Sequence, residues 1–213
     1  MSLKEYKSIS ELCSENEDAN SIVIDIPIGL AENNTESLLR PDQKARDYLK
    51  SKDRKSSVFN APYRQVIYAS DYEVANNLSL SLGKGISRQT WSICPSIREV
   101  DEFLQANPKW KNRLVESHPE VAFQSLNHNC PITNSKHSPE GISQRIEVLR
   151  EYVPDIEKVL ISTKGKIRED ILDAFCLAVV GMEGSHLGYT TIPEVPSIDR
   201  TGLKMQMIIC KGQ

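Results

Sequence analysis

Acidic side chains stand at three places in this sequence where a metal-dependent hydrolase would need them. Asp25 lies within one short apolar run, and Glu116 and Glu120 lie at the end of a second run and just beyond it. Asp170 and Asp173 lie near the start of an apolar helical segment. Hard divalent cations prefer oxygen ligands, and paired cations can bind the attacking and the leaving oxygen of a phosphodiester. The residue types therefore indicate phosphodiester hydrolysis with Mg²⁺ or Mn²⁺, if the fold brings the acids together.

The aspartates also have simpler explanations. A buried carboxylate without a partner is costly, so Asp25 needs a metal, a partner or solvent; equally, it could cap the turn that follows. Asp170 and Asp173 are three residues apart and therefore share a helix face. Acids in a first turn also interact favourably with the helix dipole, which explains Asp170 more readily than Asp173.

The segment Glu116-Ser-His118-Pro-Glu120 groups two acids and a histidine. In an extended chain alternate side chains point to the same side, so Glu116 and Glu120 are candidate metal ligands. Glu116 and His118 are also candidate catalytic groups, with His118 as a proton shuttle. The alternative is a solvated loop that caps neighbouring elements. A zinc site is disfavoured, because the histidine lacks the helical H-E-x-x-H spacing of zinc proteases.

Three basic residues, Arg64, Lys136 and Arg145, are candidate contacts for a substrate phosphate. Each could as well be an ordinary solvated charge, and none is specific on its own. The segment Gly83-Lys84-Gly85 lacks the G-x-x-x-x-G-K-[ST] pattern, so a Walker-type nucleotide loop is not supported.

Two short apolar runs and one helix must position these side chains. Ile22–Ile26 and Leu114–Glu116 are typical of strands buried on both faces, and helical segments separate them, so we predict adjacent parallel strands. Apolar spacing predicts a helix over Glu169–Met182, and strands that alternate with helices indicate an α/β domain. The remaining predicted elements are helices at Ser8–Asn16, Pro41–Lys50, Asp71–Leu82, Ile97–Leu104 and Pro139–Tyr152, an extended stretch around Pro193 and Pro196, and a strand at Leu203–Cys210.

Length and composition favour a single globular domain in a reducing compartment. The chain has 213 residues, 39% hydrophobic and 26% charged, as is ordinary for globular proteins. Its five cysteines form no C-x-x-C pair, which predicts free thiols and a cytoplasmic protein. No apolar run reaches transmembrane length and no signal-peptide core is present, so we expect no membrane association. The net charge of −3 argues modestly against nucleic acid, which would need a local basic patch.

Several motifs, taken in order, resemble those of one protein family. The sequence is identified as a member of domain of unknown function 429, a family of predicted nucleases with an RNase H-like fold. The resemblance runs from about Ile22 to the C-terminus. The motifs that carry it are IDIPIGL (24–30), R-x-D-x-x-A-R (40–46), SSVFNAPYR (56–64), QTW (89–91), IREVD (97–101), ESHPE (116–120), Lys136 with Gly141 and Arg145, DILDA (170–174) and DRTGLKMQM (199–207).

This resemblance implies a mixed sheet flanked by helices, in which acids from two strands and a C-terminal helix bind two divalent metal ions. Asp25 then stands on the fourth strand of that fold, and Asp170 and Asp173 stand on its helix. Family members usually begin with a strand reading G-x-D-G, which supplies the first metal-binding aspartate, and nothing like it occurs here. We therefore expect one N-terminally short RNase H-like domain over residues 1–213, with an uncovered apolar edge at Ile22–Ile26.

Two functions follow from these observations. The first is a cytoplasmic RNase H-like nuclease that hydrolyses nucleic acid with Mg²⁺ or Mn²⁺. The alternative is a catalytically inactive RNase H-like scaffold or oligomeric binding module, which the missing first-strand aspartate and the net negative charge favour. Because an uncovered edge invites pairing, we also expect a homo-oligomer, unless another element covers Ile22–Ile26.

Overall fold

Helices surround two small sheets in the computed structural model, which describes residues 3–161, 163 and 165–211 and, at 166, the backbone alone. The first sheet contains β1 (Ile22–Ile24) and β2 (Leu114–Glu116), and the second contains β3 (Tyr189–Ile198) and β4 (Lys204–Cys210). The helices are α1 (Ile9–Glu15), α2 (Asn34–Ser37), α3 (Asp42–Tyr48), α4 (Lys52–Lys55), α5 (Arg64–Ile67), α6 (Tyr72–Ser81), α7 (Arg88–Ala106), α8 (Pro119–Leu126), α9 (Pro139–Arg150), α10 (Ile156–Leu160) and α11 (Gly165–Leu187), with a 3₁₀ turn at Pro108–Trp110.

The fold is mixed α/β, as the sequence predicts. The four helices predicted at Ser8–Asn16, Pro41–Lys50, Asp71–Leu82 and Pro139–Tyr152 and the final strand are confirmed, with bounds that differ by one or two residues. The stretch around Pro193 and Pro196 forms β3, which pairs antiparallel with β4. Among the described helices, none is long and apolar enough to span a membrane.

β1 and β2 are adjacent and parallel, with Ile22 opposite Leu114 and Ile24 opposite Glu116. This register confirms the prediction that the two apolar runs form neighbouring parallel strands. β1 ends two residues earlier than predicted. The chain turns away before Pro27, whose nitrogen has no hydrogen to donate to a neighbouring strand.

The outer edge of β1 has no paired strand among the residues that the structure describes. The Ile22 N–H donates to the Arg113 carbonyl oxygen at 2.7 Å, and the Ser117 N–H donates to the Ile24 carbonyl oxygen at 3.0 Å. Ile22 and Ile24 thus direct their backbone groups to β2, and Val23 between them directs its own to the opposite edge. A groove of about 370 Å³ follows that edge. Three of the residues that line it from α11 are small: Ala174, Ala178 and Gly181.

α11 packs beside β1 at close range. A Cβ atom at Gly181 would lie 3.1 Å from Val23 Cγ2, so the absence of a side chain lets helix and strand approach each other closely. The helix extends beyond the predicted Glu169–Met182 at both ends. Asp173 lies on α11 about two turns before Gly181, in the direction of the end of β1, where Asp25 lies.

α7 differs from the prediction. The sequence predicts a short helix over Ile97–Leu104 that begins after Pro95, whereas α7 continues through Pro95 without a break. A proline inside a helix removes one backbone hydrogen bond. Cys94 and Ile97 near the proline are fully buried, and this tertiary packing outweighs the lost bond.

The main core lies where α8, α9 and α11 meet β4. Phe123, Leu149, Phe175, Val179 and Ile208 are all buried there. The sequence pattern did not indicate α8, which follows β2 after only two residues and has a proline in its first turn, a position that suits proline. This short connection places the residues after β2 directly against α11.

Candidate active site at the ends of β1 and β2

Asp25 occupies the first position beyond β1, and its side chain remains in contact with solvent. It lines a narrow cleft with Glu116, the last residue of β2, and with His118. Because β1 and β2 are parallel, their carboxyl ends meet at the same edge of the sheet, which is where ligands bind in open α/β folds. The fold therefore brings together two acids that are far apart in the sequence.

Asp173 of α11 and Lys136 complete a cluster of three charges around Asp25. Desolvation by the surrounding protein raises the pKa of Asp25 well above its usual range; Asp173 and Glu116 raise it too, whereas Lys136 lowers it. Burial also raises the pKa of Asp173, against the charge and hydrogen bond of Lys136. Lys136 Nζ lies 2.9 Å from Asp173 Oδ2. We call these three residues the Asp25–Asp173–Lys136 cluster.

A ligand could reach this cluster. The Lys136 side chain is 35% exposed and that of Asp173 is 16% exposed. The Asp25 side chain is also accessible to solvent. Accessible carboxylates of raised pKa beside one ammonium make this cluster the candidate functional site.

Glu116 is committed to a buried ion pair. Its carboxylate accepts hydrogen bonds from Arg40 Nη2 at 2.9 and 3.2 Å and from the Ile28 N–H at 2.7 Å. Burial raises the pKa of Glu116 to about 7, although the Arg40 charge favours the ionised form. Loss of one partner of a buried pair typically costs about 3–5 kcal/mol. Glu116 therefore fixes the turn after β1, and both of its oxygens already accept hydrogen bonds.

Arg40 and Asp42 are site residues that sequence reasoning missed. Arg40 is 1% exposed and donates to Asp42, to Glu116 and to the Ile28 carbonyl oxygen. Asp42 lines the same narrow cleft as Asp25. Both belong to the R-x-D-x-x-A-R motif, whose two-residue spacing of arginine and aspartate was the available signal, although it gave no indication of their partner.

Glu120 and Arg145 form a second buried ion pair, with 2.6 Å between Glu120 Oε1 and Arg145 Nη2. Arg145 is 1% exposed, also donates to the Gly141 carbonyl oxygen at 3.1 Å and lies over the ring of Phe123. A charge that is buried and matched in this way cannot contact a substrate phosphate without leaving its partners. The placement does not favour the predicted roles of Glu120 as a metal ligand and of Arg145 as a phosphate contact.

His118 caps the N-terminus of α8. Its Nδ1 accepts a hydrogen bond from the Glu120 N–H at 3.2 Å, and its Nε2 lies 3.3 Å from the Ser57 carbonyl oxygen, to which it donates. Burial lowers the pKa of His118 to about 4. The imidazole is thus neutral at neutral pH with both nitrogens engaged, so the predicted proton shuttle would require one of these bonds to open.

Two further predicted site residues lie outside the cluster. Asp170 is exposed, one turn before Asp173 on α11. Arg64 is buried and forms ion pairs with three acids: Glu32, Asp101 and Asp199. Asp170 therefore acts on the cluster only through its charge, which raises the pKa of Asp173, and Arg64 is a structural cation rather than an available phosphate contact.

The predicted metal site, with its five candidate acids, is not preformed. Across residues 3–161, 163 and 165–211, no group of three or more histidine, cysteine, aspartate or glutamate side chains is placed to hold a metal ion. Glu116 is bound by Arg40, which leaves Asp25 and Asp173 as the donor pair. Mg²⁺ keeps several waters and is commonly bound through one or two carboxylates together with substrate phosphates. This donor pair therefore fits one such ion and does not fit a two-metal cage.

Fold and site together define an α/β protein with a carboxylate pair at the carboxyl end of a parallel strand. The chain belongs to the family described as protein of unknown function DUF429, whose model matches residues 2–198. This match confirms the family resemblance drawn from the sequence motifs. No curated protein and no solved structure matches the chain.

Proposed function

We propose that this protein hydrolyses phosphodiester bonds in nucleic acid with the help of one Mg²⁺ or Mn²⁺ ion. One observation carries the proposal: Asp25 at the end of β1 lies near enough to Asp173 on α11 to feel its charge, both side chains contact solvent, and the pKa of each carboxyl is raised. Like charges held together in this way favour a bound cation. The hard oxygen donors select Mg²⁺ or Mn²⁺ over softer metals.

Asp25 and Asp173 would hold the ion, and the ion would supply positive charge beside the scissile phosphate. Lys136 is then free to turn from Asp173 towards a phosphate oxygen, because its ammonium already lies at the cluster and remains partly exposed. The buried Arg40–Glu116 pair keeps the ends of β1 and β2 in register. Arg40 and Glu116 are therefore positioning residues rather than catalytic ones.

An RNase H-like organisation belongs to the same proposal. It is supported by the parallel β1–β2 pair, by a long helix near the C-terminus that packs on β1 and by acids on both elements. A cytoplasmic location is part of the proposal as well, since all five cysteines are free thiols.

The test combines cleavage with metal binding. Dye-labelled single-stranded and duplex DNA and RNA are incubated with the protein and Mg²⁺ or Mn²⁺, and products are resolved on gels. We expect cleavage that falls roughly 100-fold or more in Asp25→Asn and Asp173→Asn, because either change removes one of the two charges that hold the ion. Asp18→Asn is the matched control, because Asp18 is an exposed aspartate before β1 and outside the cleft.

Calorimetric titration with Mn²⁺ tests the site without any substrate. We expect weak binding that strengthens as pH rises, because a carboxyl of raised pKa must lose its proton before it binds a metal. Binding should be lost in both cleft variants and kept in Asp18→Asn. If the wild type binds no Mn²⁺, or both cleft variants bind it equally well, the hydrolase proposal is wrong.

A catalytically inactive binding module is the second candidate. The observation that favours it is the commitment of Glu116 and Glu120 to Arg40 and Arg145, which leaves only two acids for a metal. A protein that neither binds Mn²⁺ nor cleaves any of the four substrates would fit the inactive binding module.

A further inference from the structure

A large cleft, with a volume of about 660 Å³, lies beside the candidate active site. Asp42, Val58 and Phe59 line both this large cleft and the narrow cleft of about 10 Å³ that contains Asp25, so the two clefts adjoin. Its walls come from α3, residues 58–63, residues 84–87 and the start of α7. A volume of this size is typical of sites that enclose a small organic ligand.

The large cleft carries positive charge in a protein whose net charge is negative. Arg46 is held in its wall by the Val58 carbonyl oxygen at 2.8 Å, by Gln43 Oε1 at 3.0 Å and by Asn60 Oδ1 at 2.6 Å. All three acceptors are neutral. Neither Arg46 nor Lys84 pairs with a carboxylate of the described chain. The guanidinium is therefore oriented in the cleft with its charge uncompensated.

Other features of the cleft point to the same type of ligand. α7, a helix of 19 residues, begins at the cleft with Ser87 as its cap, and its first turn contains no acid, so its positive end is uncompensated. Phe59 is half-buried at the junction of the two clefts, where its ring can stack on a nucleobase. The acidic residue Asp42 is already paired with Arg40.

We propose that the large cleft binds an unpaired nucleic-acid strand, with phosphates at Arg46 and Lys84 and a base against Phe59. This inference rests on the proposed function, because a strand held against Phe59 would lie beside the narrow cleft that Asp25 lines. The cleft can enclose one or a few nucleotides but not a double helix, so it selects single strands. Stacking on aromatic rings beside a basic groove is the usual way in which proteins bind single strands without sequence preference.

Fluorescence anisotropy with a short dye-labelled oligothymidylate tests this assignment. The protein carries Asp25→Asn throughout, so that the strand is not cut during the measurement. We expect Phe59→Ala to weaken binding about 5- to 150-fold, the loss typical of one stacked base. Lys84→Ala should weaken binding and flatten the dependence of log K on log salt by roughly 0.7, the contribution of one phosphate contact on a single strand.

Lys44→Ala is the matched control, since Lys44 is exposed on the same helix as Arg46 but does not line the cleft. It should leave both affinity and salt dependence unchanged. Lys84 is exposed and Phe59 is half-buried at the surface, so both variants should keep the fold, which circular dichroism checks.

The outcomes separate this inference from the proposed hydrolysis. Strand binding that depends on Phe59 and Lys84, without cleavage by the wild type, supports the cleft and contradicts the hydrolase. Cleavage that is insensitive to Phe59→Ala and Lys84→Ala supports the hydrolase and overturns the cleft. Equal affinity for the duplex form of the probe, or no binding of the single strand, also overturns the cleft assignment.

Discussion

The ionised form of Asp25 would favour cation binding but lowers the free energy of unfolding. Its pKa is raised because surrounding protein and the nearby charges of Asp173 and Glu116 disfavour the ionised form. Between its unfolded and folded pKa values, the folded chain binds more protons than the unfolded chain, so the free energy of unfolding falls as pH rises through that interval. The ionised carboxylate that would bind a cation therefore destabilises the metal-free protein.

Asp25→Asn should accordingly raise the melting temperature at neutral pH. The gain should not exceed about 1 kcal/mol, because solvent screens the partly exposed group, and it should disappear below about pH 3, where Asp25 is protonated in both states. Thermal unfolding followed by circular dichroism between about pH 3 and pH 8 measures it, with Asp18→Asn as the control. A variant less stable than the wild type at neutral pH would contradict this electrostatic explanation.

The start of α9 determines where Lys136 lies. Gly141 is buried in the first turn of this helix, and a Cβ atom there would lie 1.9 Å from the Ser135 carbonyl oxygen and 3.0 Å from that of Asn134. These are backbone atoms, so the clash can be relieved only by moving the loop that leads into Lys136. The position of the Lys136 ammonium thus depends on the glycine at position 141.

Gly141→Ala should destabilise the protein by about 1–3 kcal/mol, the usual cost of overpacking, and should also weaken any catalysis that uses Lys136. Chemical unfolding and the cleavage assay measure the two effects. Ser143→Ala, at an exposed position of the same helix, should change stability by less than about 0.5 kcal/mol. If Gly141→Ala has wild-type stability, the contact between α9 and residues 134–135 is looser than the structure indicates.

Local patterns in the sequence predicted most elements but not the pairing of charges. Short apolar runs predicted β1 and β2, and apolar spacing predicted most of the longer helices, two of which Ser8 and Asp71 cap in the structure. The pairing of Glu116 with Arg40 and of Glu120 with Arg145 depends on contacts between residues 25 to 76 positions apart. No local pattern distinguishes such buried acids from metal ligands. The structure leaves Asp25 and Asp173 as the available pair, and the site itself stays a prediction.

At the scale of the whole molecule, the unpaired edge of β1 favours association with another chain. The backbone groups of Val23 lie along a groove whose small side chains leave room for another strand. We expect the protein to be at least a dimer in solution, formed by a second copy at this edge, unless another element covers it. Sedimentation velocity measures the mass.

Ala178→Lys should shift this equilibrium towards the monomer, because Ala178 lines the groove and an added charge blocks edge pairing. Asn77→Lys, which adds the same charge at an exposed position of α6 outside the groove, should have no effect. A monodisperse wild-type monomer with the edge open to solvent would show that association is not needed.

Arg64 links parts of the chain that are made at very different times during synthesis. Its partners are Glu32, Asp101 and Asp199, and Asp199 also accepts hydrogen bonds from the N–H groups of Leu30 and Leu203, each at 2.9 Å. A guanidinium buried at this junction gains its last carboxylate partner only when Asp199 has left the ribosome. Contacts this distant in sequence slow folding, so the nascent chain should remain exposed to chaperones and proteases at least until Asp199 has emerged.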